Sequence, residues 1–318
     1  MIDFDVMQRR IPADAEYGPL LGALYVKNEW LLKPMLEMLD ESMLPAYFLD
    51  VADIWQTLRA VRSVPPQERI DEAVKGLRFH SLEFLKRQIQ FAKTGRYKSC
   101  DADAIRREIY QVGETMRQYL DGLLLTYIAW PNHYRILKWY RDAYLKQGPY
   151  GRCLDIGPGH GFLALEQLRA DETNSLTALD ISPHSVDYTR RVLQAHGIAS
   201  SRYDVRVANA QQGLDSDIPC FDRIVLAEVI EHVADPAGIV RSLVERSHPR
   251  TLWFITTVVN VEAPDHIYLF RSLGEVRDML GDCGLTVTDE LDMPLKMNLD
   301  LKEPAYEVAL VCRPRATA

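Results

Sequence analysis

Apolar residues recur every three or four positions along the first half of the chain, which is the spacing of an amphipathic helix. One series falls on a single helical face: Leu32, Met35, Leu36 and Leu39. A second series extends over about five turns and consists of Ile105, Ile109, Val112, Met116, Tyr119 and Leu123. Pro65 and Pro66 break the chain between helices, and residues 95–103 predict a loop that caps the next helix. The pattern predicts an all-helical N-terminal domain over residues 1–146.

The pattern changes from residue 152 onward, where short apolar runs alternate with amphipathic stretches. The runs lie at 153–156, 176–179, 203–207, 223–227 and 252–259, and the helical stretches include 185–196 and 236–245. This alternation predicts a parallel sheet covered by helices on both faces. Two last runs, 285–291 and 306–312, have no helix between them and predict an antiparallel pair that closes one edge. We therefore expect an α/β domain over residues 147–318.

The composition is that of an ordinary globular protein, with 47% hydrophobic and 26% charged residues among 318. No basic start is followed by an apolar run, and no apolar stretch approaches the ~18 residues that a membrane helix needs. The five cysteines are far apart in the sequence, which argues against a disulfide framework or a cysteine-built zinc site. These features predict a cytoplasmic protein that does not bind membranes, and they do not indicate an oligomeric state.

The formal net charge of −8 argues against a protein that grips long nucleic acids, because such proteins usually carry a basic face. One basic segment is an exception. Between Lys75 and Lys98 it contains Arg78, Lys86, Arg87, Lys93 and Arg96, with Glu83 as its only acid. We interpret this segment as a solvated helix face. A docking surface for an anionic partner is the alternative.

A glycine-rich turn follows the first apolar run. The sequence from Leu154 to Phe162 reads Leu-Asp-Ile-Gly-Pro-Gly-His-Gly-Phe, in which an apolar strand enters the turn and a helix follows. Glycines at alternate positions remove Cβ atoms where a ligand must approach the backbone. The turn also presents the amide groups of a helix start to that ligand. A purely structural turn is the alternative.

The spacing of the glycines selects among possible ligands. A dinucleotide fingerprint needs G-x-G-x-x-G, but Phe162 occupies the position of its third glycine, and the Gly-Lys-Ser/Thr of a phosphate loop is absent. Asp155, just before the turn, would repel a pyrophosphate and would suit a ligand that carries an amino group. The turn therefore favours a ligand other than a dinucleotide or a nucleoside triphosphate.

The next strand adds a nucleoside signal. Its apolar run ends in Asp180, about 20 residues past the turn, as nucleoside-binding βαβ units require. A carboxylate at this position can accept hydrogen bonds from both ribose hydroxyls. Because Ser182 and Pro183 follow, a helix cap is the alternative. Together, the glycine turn and Asp180 predict a nucleoside site.

These motifs resemble those of the class I S-adenosylmethionine (SAM) dependent methyltransferases, and the resemblance covers residues 152–312. Asp155-x-Gly157-x-Gly159-x-Gly161 is similar to the first family motif, and Asp180 to the acidic ribose ligand of the second. Asn209 falls where the family commonly has an aspartate that contacts the adenine amine. It departs from that pattern but can still bond the base. The segment from Phe221 to His232 is similar to the fourth motif.

The resemblance implies a Rossmann-like fold with a seven-stranded, mostly parallel sheet in which one strand is antiparallel. It implies SAM as the cofactor. The cofactor-binding residues it implies are Asp155, Gly157, Gly159, Gly161, Asp180, Asn209 and Ala227.

A possible metal site follows the fourth strand. Glu228 and His232 are four residues apart, so on a helix they would share a face with Glu231 beside them. His266 follows the fifth strand at the same edge of the sheet, and two carboxylates with two imidazoles can hold a divalent cation. The arrangement resembles the Glu-x-x-Glu-His element of ubiquinone-type and small-RNA 2′-O-methyltransferases, where in the latter a later histidine completes a magnesium site.

We therefore expect Glu228, Glu231, His232 and His266 as metal ligands, with Mg²⁺ as the possible ion. Support of the loop without a metal is the alternative. In that case His232 or His266 is the candidate catalytic base, because imidazole titrates near neutral pH.

Aromatic and hydrogen-bonding residues cluster shortly before the α/β domain, as they do in ligand sites. They are Tyr127, Trp130, Asn132, His133 and Tyr134. We predict that they bind the substrate, with interdomain packing as the alternative. The resemblance then implies methyl transfer to a small-molecule metabolite at oxygen, nitrogen or carbon.

Three other functions remain open at this point. The enzyme could act on the aminocarboxypropyl chain of SAM, by transfer or cyclisation. The chain could be a non-catalytic partner subunit, although a scaffold would not need Asp155, the three glycines or Asp180. A nucleic-acid methyltransferase is disfavoured by the acidic charge.

Overall fold

Helices form the first part of the chain. The computed structural model describes residues 2–26, 28–96, 105, 110–213, 220–295 and 303–315. Within them lie α1 (Phe4–Arg10), α2 (Gly18–Val26), α3 (Glu29–Met38), α4 (Leu44–Val61), α5 (Pro66–Thr94), α6 (Gly113–Ala129) and α7 (Pro131–Trp139), followed by a π-helical segment, Tyr140–Leu145. The expected helical N-terminal region is confirmed. Its boundary at residue 146 stays a prediction.

Local sequence explains where the longest helix begins and ends. Pro66 occupies the first turn of α5, where its missing N–H costs no helical hydrogen bond. At the other end Gly95 adopts a left-handed conformation, with φ of 65°, and its N–H bonds to the carbonyl of Phe91. The loop predicted beyond it at residues 97–103 lies outside the described residues.

One predicted helix was wrong in its extent. The apolar series from Ile105 to Leu123 predicts a continuous helix, but α6 begins only at Gly113. Val112 before it has an extended backbone and is 41% exposed. Ile109 lies outside the described residues. Spacing alone therefore overextended the helix.

Seven strands form one sheet in the described part of the chain: β1 (Arg152–Ile156), β2 (Ser175–Asp180), β3 (Tyr203–Val207), β4 (Phe221–Ala227), β5 (Ser247–Val259), β6 (Leu285–Pro294) and β7 (Tyr306–Pro314). Their order is β3-β2-β1-β4-β5-β7-β6. Strands β1 to β5 are parallel, and β7 is antiparallel to both of its neighbours. The predicted sheet and the antiparallel pair at its edge are confirmed.

Helices α8 (Phe162–Ala170), α9 (Pro183–Ala195), α10 (Pro236–Val244) and α11 (Leu273–Asp282) cover this sheet together with the N-terminal helices. The strand order reverses between β1 and β4, and a ligand crevice is expected at the carboxyl ends of the strands at such a point. The amide of Gly157 bonds to the carbonyl of Leu179 at 2.8 Å. This bond places the glycine turn beside the end of β2.

The helical and α/β parts share one apolar core, which runs from Leu124 and Leu137 to Phe162 and Phe254. A buried ion pair lies within the helical part. Arg69 donates two hydrogen bonds, of 2.6 and 2.5 Å, to the carboxylate of Asp121.

Two further contacts join the parts. The hydroxyl of Tyr188 on α9 donates to Asp121 on α6 at 2.9 Å. The guanidinium of Arg223 on β4 donates to the carbonyls of Pro149 and Tyr144. Because polar groups from both parts satisfy one another in the interior, each part needs the other to remain well packed.

Helices α5 and α6 cross at two glycines. A Cβ added to Gly76 would lie 2.5 Å from the carbonyl oxygen of Gln118, and one added to Gly122 would lie 2.7 Å from the carbonyl oxygen of Gly76. The two backbones are therefore in direct contact. Among the described residues, no helix is both long enough and apolar enough to span a membrane.

Candidate active site

A cavity of about 240 Å³ opens at the carboxyl edge of the sheet, beneath α5, α6 and α7. Its lining includes the glycine turn, Asp180 and Asn209. It also includes residues from the helices and from β7, among them His80, Phe84, Tyr119, Trp130, His133 and Glu307. The nucleoside motif and the aromatic cluster of the helical part therefore face the same space.

The three glycines of the turn have different neighbours. All have positive φ, at 68° for Gly157, 56° for Gly159 and 71° for Gly161. A Cβ on Gly161 would lie 2.9 Å from Thr189, and one on Gly157 would lie 3.0 Å from Val229. A Cβ on Gly159 would meet its nearest atom at 3.8 Å. Sequence reasoning gave all three the same role, but only Gly159 leaves open space for a ligand, and Gly161 allows α9 to pack.

Asp155 lies on the cavity wall and is 2% exposed. Its Oδ2 atom has no hydrogen-bond partner among the described residues. Burial, followed by the charge of Asp180, raises the pKa of Asp155 well above its ordinary value. A cationic amino group in the cavity would supply the missing donor and stabilise the carboxylate.

Asp180 holds the turn in place. Its Oδ1 accepts from the amide of Ser182 at 2.8 Å, and its Oδ2 accepts from the amide of Gly159 at 3.3 Å. The cap of α9 is Ser182, whose hydroxyl accepts from the amide of Ser185. The helix-cap alternative for Asp180 is therefore wrong. Burial raises the pKa of Asp180 to about 6 although the two amides oppose this shift.

Asn209 and Ala227 both line the cavity. The Oδ1 atom of Asn209 accepts from the amide of Gln211 at 3.0 Å and caps a short 3-10 turn. Its Nδ2 group is left to donate. A donor matches a ring nitrogen of adenine better than the exocyclic amine.

The segment after β4 is not the helix that sequence spacing suggested. Glu228 has a left-handed backbone, with φ of 53°, and its amide donates to Thr256. Glu231 and His232 belong to a single 3-10 turn. Glu228 and His232 therefore do not share the face of an α-helix, and that expectation was wrong.

Three of the four expected metal ligands nevertheless converge. Donor atoms of Glu231, His232 and His266 all lie within 4.8 Å of one another. Glu228 is not part of this group, although its carboxyl interacts with that of Glu231. Burial, then the Glu228 carboxyl, raises the pKa of Glu231 well above its ordinary value.

The hydrogen bonds of the two imidazoles define their tautomers. Nδ1 of His232 lies 2.9 Å from the carbonyl oxygen of Asp265, and Nδ1 of His266 lies 3.1 Å from that of Val261. A carbonyl only accepts, so each Nδ1 carries a proton. The rings are 4.9 Å apart and nearly perpendicular. Burial, together with the nearby His232, lowers the pKa of His266 to about 3, which keeps it neutral.

This donor set fits a metal only in part. Two imidazoles and one carboxylate suit zinc or iron, whereas magnesium prefers oxygen ligands. The spread of up to 4.8 Å exceeds the roughly 3.4 Å between donors on a tetrahedral zinc ion with bonds of about 2.1 Å. The expectation of Mg²⁺ is therefore not supported.

Asp265 is a residue whose role sequence reasoning missed. Its carboxylate accepts from the hydroxyls of Tyr110 and Tyr119, at 3.0 and 2.8 Å, and lies 3.6 Å from Nδ1 of His232. Burial alone would raise the pKa of Asp265, but the imidazoles of His232 and His266 and the two phenols lower it on balance. Asp265 is thus an anion that ties the helical part to the imidazole pair.

The predicted substrate cluster divides into two groups. Tyr127, Trp130 and His133 line the cavity, whereas Asn132 and Tyr134 are absent from its lining. Helix α7 begins at Pro131, so positions 130 and 133 face one way. Tyr134 is buried instead against Tyr47, with ring centroids 5.7 Å apart.

His133 meets Glu307, which no sequence signal singled out. Nε2 of His133 lies 3.4 Å from Oε1 of Glu307. Burial alone would lower the pKa of His133, but the Glu307 carboxylate, followed by Glu228, raises it on balance. The two residues form a buried ion pair on the cavity wall.

Solved structures share this fold. The O-methyltransferase NcsB1 from neocarzinostatin biosynthesis, in complex with S-adenosyl-L-homocysteine and 1,4-dihydroxy-2-naphthoic acid, aligns with a TM-score of 0.51. It is 18% identical and covers 75% of this chain and 70% of that one. Strand order, glycine turn and structural likeness together define the fold of the class I SAM-dependent methyltransferases.

Sequence comparison identifies the family. A family model described as a methyltransferase domain matches residues 130–289, which is half of the chain. The chain belongs to this methyltransferase-domain family.

Curated relatives are similar over the same region. The ubiquinone biosynthesis O-methyltransferase of Methylocella silvestris is 32% identical over 127 residues, which are 40% of this chain and 47% of that protein. The protein of the same name from Xanthomonas oryzae pv. oryzae is 32% identical over 108 residues, which are 34% and 43% of the two chains. The matched segment spans less than half of either relative.

Proposed function

We propose that the protein transfers the methyl group of SAM to an oxygen atom of a small-molecule acceptor. One observation carries this proposal. A single cavity is lined by Asp155, Gly159 and Asp180 and also by His133, His232 and aromatic side chains. We take these two groups of residues as its cofactor end and its acceptor end, so that cofactor and acceptor would meet within one cavity, as transfer between them requires.

The first end suits the parts of SAM. Asp180 would accept from the ribose hydroxyls, and Asn209 would donate to the adenine ring. The unpartnered oxygen of Asp155 would receive the amino group. Gly159 leaves room for the cofactor against the backbone. This assignment places the sulfonium between the ribose and amino ends, near the end of β4.

The second end suits an acceptor that must lose a proton. We assign His232 as the base, because it lines the cavity and because its Nδ1 bonds to the carbonyl of Asp265, which leaves Nε2 to receive a proton. The acceptor oxygen forms a bond to the methyl carbon while the carbon–sulfur bond breaks, and the hydroxyl proton passes to His232. S-adenosylhomocysteine and the methyl ether are the products. His266, held neutral beside it, avoids a repelling charge when His232 becomes protonated.

A divalent metal is the second arrangement that these residues support. Oε1 of Glu231 has no donor among the described residues, and it lies with His232 and His266 in the converging group. Those three residues would hold a zinc- or iron-type ion. Such an ion would lower the pKa of an acceptor hydroxyl.

The acceptor is inferred from the lining and from the relatives. Phe84, Trp130, Tyr119 and Val258 give the cavity a largely apolar and aromatic wall, which favours a small organic molecule over a charged polymer. The curated relatives and NcsB1 are O-methyltransferases, which supports oxygen over nitrogen or carbon.

The decisive experiment incubates the protein with SAM and pools of small metabolites, followed by mass spectrometry. We expect S-adenosylhomocysteine together with a metabolite heavier by one methylene group. Methylthioadenosine would instead assign chemistry on the aminocarboxypropyl chain. Failure of the chain to bind SAM in a calorimetric titration would favour the non-catalytic scaffold. The Asp180→Ala variant is the matched control for background turnover.

A further inference from the structure

Glu307 is a buried carboxylate that nothing in the proposed transfer uses. It lies near the start of β7, where it pairs in register with Val258 of β5. It is 4% exposed and lines the cavity. A carboxylate is costly to bury unless its oxygens receive hydrogen bonds or an ion pair. Its partners therefore indicate what this part of the cavity is built to hold.

A short chain of groups fixes one of its oxygens. The hydroxyl of Thr126 donates to the carbonyl of Leu123 at 2.6 Å, so its oxygen accepts from Nδ1 of His133, also at 2.6 Å. Nε2 of His133 faces Oε1 of Glu307 at 3.4 Å. Both neighbours of the imidazole can act as acceptors, and the Glu307 carboxylate raises the pKa of His133 against the effect of burial. The Thr126–His133 pair thereby orients Glu307.

The other oxygen of Glu307 lacks a donor. Oε2 is buried and has no hydrogen-bond partner among the described residues. The carboxyl of Glu228 is its neighbour, and burial, followed by Glu307, raises the pKa of that group. Glu228 nevertheless makes no hydrogen bond to Oε2. An unsatisfied buried acceptor in a ligand cavity is completed by a donor from the ligand.

We propose that Glu307, oriented by His133 and Thr126, is a specificity-determining residue that accepts a hydrogen bond from a second polar group of the methyl acceptor. That group is a hydrogen-bond donor, such as a hydroxyl, distinct from the oxygen that receives the methyl. The inference rests on the proposed function, because it needs an acceptor in this cavity. It also disfavours a carboxylate at this end of the acceptor, which the Glu307 carboxylate would repel.

The position of the pair supports the acceptor rather than the cofactor. Asp180 raises the pKa of Asp155 at the cofactor end, whereas Glu307 acts on the pKa of His133 and on that of Glu228. Trp130 packs edge-on against His133, with ring centroids 5.0 Å apart. The hydroxyl of the bound substrate that donates to Glu307 would thus lie beside an aromatic wall.

The test measures binding to protein saturated with S-adenosylhomocysteine, so that no transfer occurs. Catechol carries two adjacent hydroxyls, and guaiacol replaces one of them by a methyl ether that only accepts. We expect catechol to bind at least about tenfold more tightly, as for a hydrogen bond to a charged group. Glu307→Gln should remove most of this preference while the affinity for S-adenosylhomocysteine stays unchanged. Glu262→Gln, a buried glutamate outside the cavity lining, should keep it.

Three results would overturn the inference. The first is equal binding of the two probes by the natural protein, including no binding of either. The second is a preference that survives in Glu307→Gln. The third is an equal loss of S-adenosylhomocysteine affinity in that variant, which would assign Glu307 to the cofactor. If Glu307→Gln does not fold, Thr126→Val tests the same series of hydrogen-bonded groups, Thr126, His133 and Glu307. It should reduce the preference for catechol. Failure of the natural protein to bind S-adenosylhomocysteine would instead refute the proposed function.

Discussion

The amide of Gly159 donates a hydrogen bond to Oδ2 of Asp180, with the two atoms 3.3 Å apart. The bond couples the glycine turn after β1 to the carboxyl end of β2. It orients the carboxylate that we assign to the ribose and fixes the backbone that we assign to the cofactor. Two predictions follow from this pair.

The affinity for SAM should fall at acid pH. Burial raises the pKa of Asp180 to about 6, and ribose hydroxyls donate more strongly to the ionised form. The affinity for SAM should therefore be highest above this pKa. It should decline as the pH falls through the pKa, by roughly tenfold between pH 7.5 and 5. Calorimetric titration across this range provides the measurement. Asp180→Asn should bind weakly at both pH values, and an unchanged pH dependence in that variant would assign the effect elsewhere.

Gly159→Ala and Gly161→Ala should fail in different ways. Both positions have positive φ, so each alanine costs about 1–2 kcal/mol of backbone strain. At Gly159 the Cβ enters the cavity, and we expect SAM affinity to fall more than stability does. At Gly161 the Cβ lies 2.9 Å from Thr189, so the free energy of unfolding should fall further. Thermal unfolding and SAM titration of both variants separate the roles. Equal losses of affinity at equal stability would contradict the distinction.

The base and metal arrangements predict opposite responses to chelation. We expect turnover to survive exhaustive chelation, and His232→Asn to lower kcat by about 10²- to 10⁴-fold, the usual contribution of general base catalysis. SAM affinity should be unchanged in that variant. Turnover that is lost on chelation and restored by added zinc would establish the metal instead. In that case Glu231→Gln should behave like the chelated enzyme, and metal analysis should show that it has lost the ion.

Asp121→Leu should destabilise the whole protein. Arg69 and Asp121 are 1% and 2% exposed in their side chains. The variant therefore removes the nearer carboxylate from a buried guanidinium and leaves it Glu72, 3.6 Å away, at a cost of about 3–5 kcal/mol. Chemical denaturation gives the free energy of unfolding. Because Tyr188 of α9 also donates to Asp121, a single transition should be seen. Glu41→Gln, which removes an exposed partner of Arg10, should leave stability nearly unchanged.

The cofactor end of the site could be predicted because its chemistry is local in sequence. Glycines 157, 159 and 161 and Asp155 lie within seven residues, and Asp180 ends the next strand. Strand ends in a parallel sheet share one edge, so a correct strand order brings them together. The distinct roles of Gly159 and Gly161 were not predictable, since they depend on how α9 packs.

The acceptor end depends on contacts between distant residues. His133 and Glu307 are far apart in the sequence, and one acid near the start of the apolar run of β7 does not by itself indicate its partner. The turn at Glu228 was missed because a left-handed backbone is uncommon outside glycine. Asn132 and Tyr134 were assigned to the substrate because composition identifies a cluster but not the direction in which each residue of a helix points.

The glycine crossing of α5 and α6 limits how this enzyme can be adapted to other acceptors. His80 is one turn beyond Gly76, and Tyr119 is one turn before Gly122, and both line the cavity. Since the two backbones already touch, the helices cannot move closer, and any larger residue at the crossing would wedge them apart. Laboratory evolution toward smaller or bulkier acceptors should therefore select substitutions of Phe84 and Trp130, which line the cavity. Gly76 and Gly122 should not tolerate substitution, even though such a change leaves the cofactor site intact.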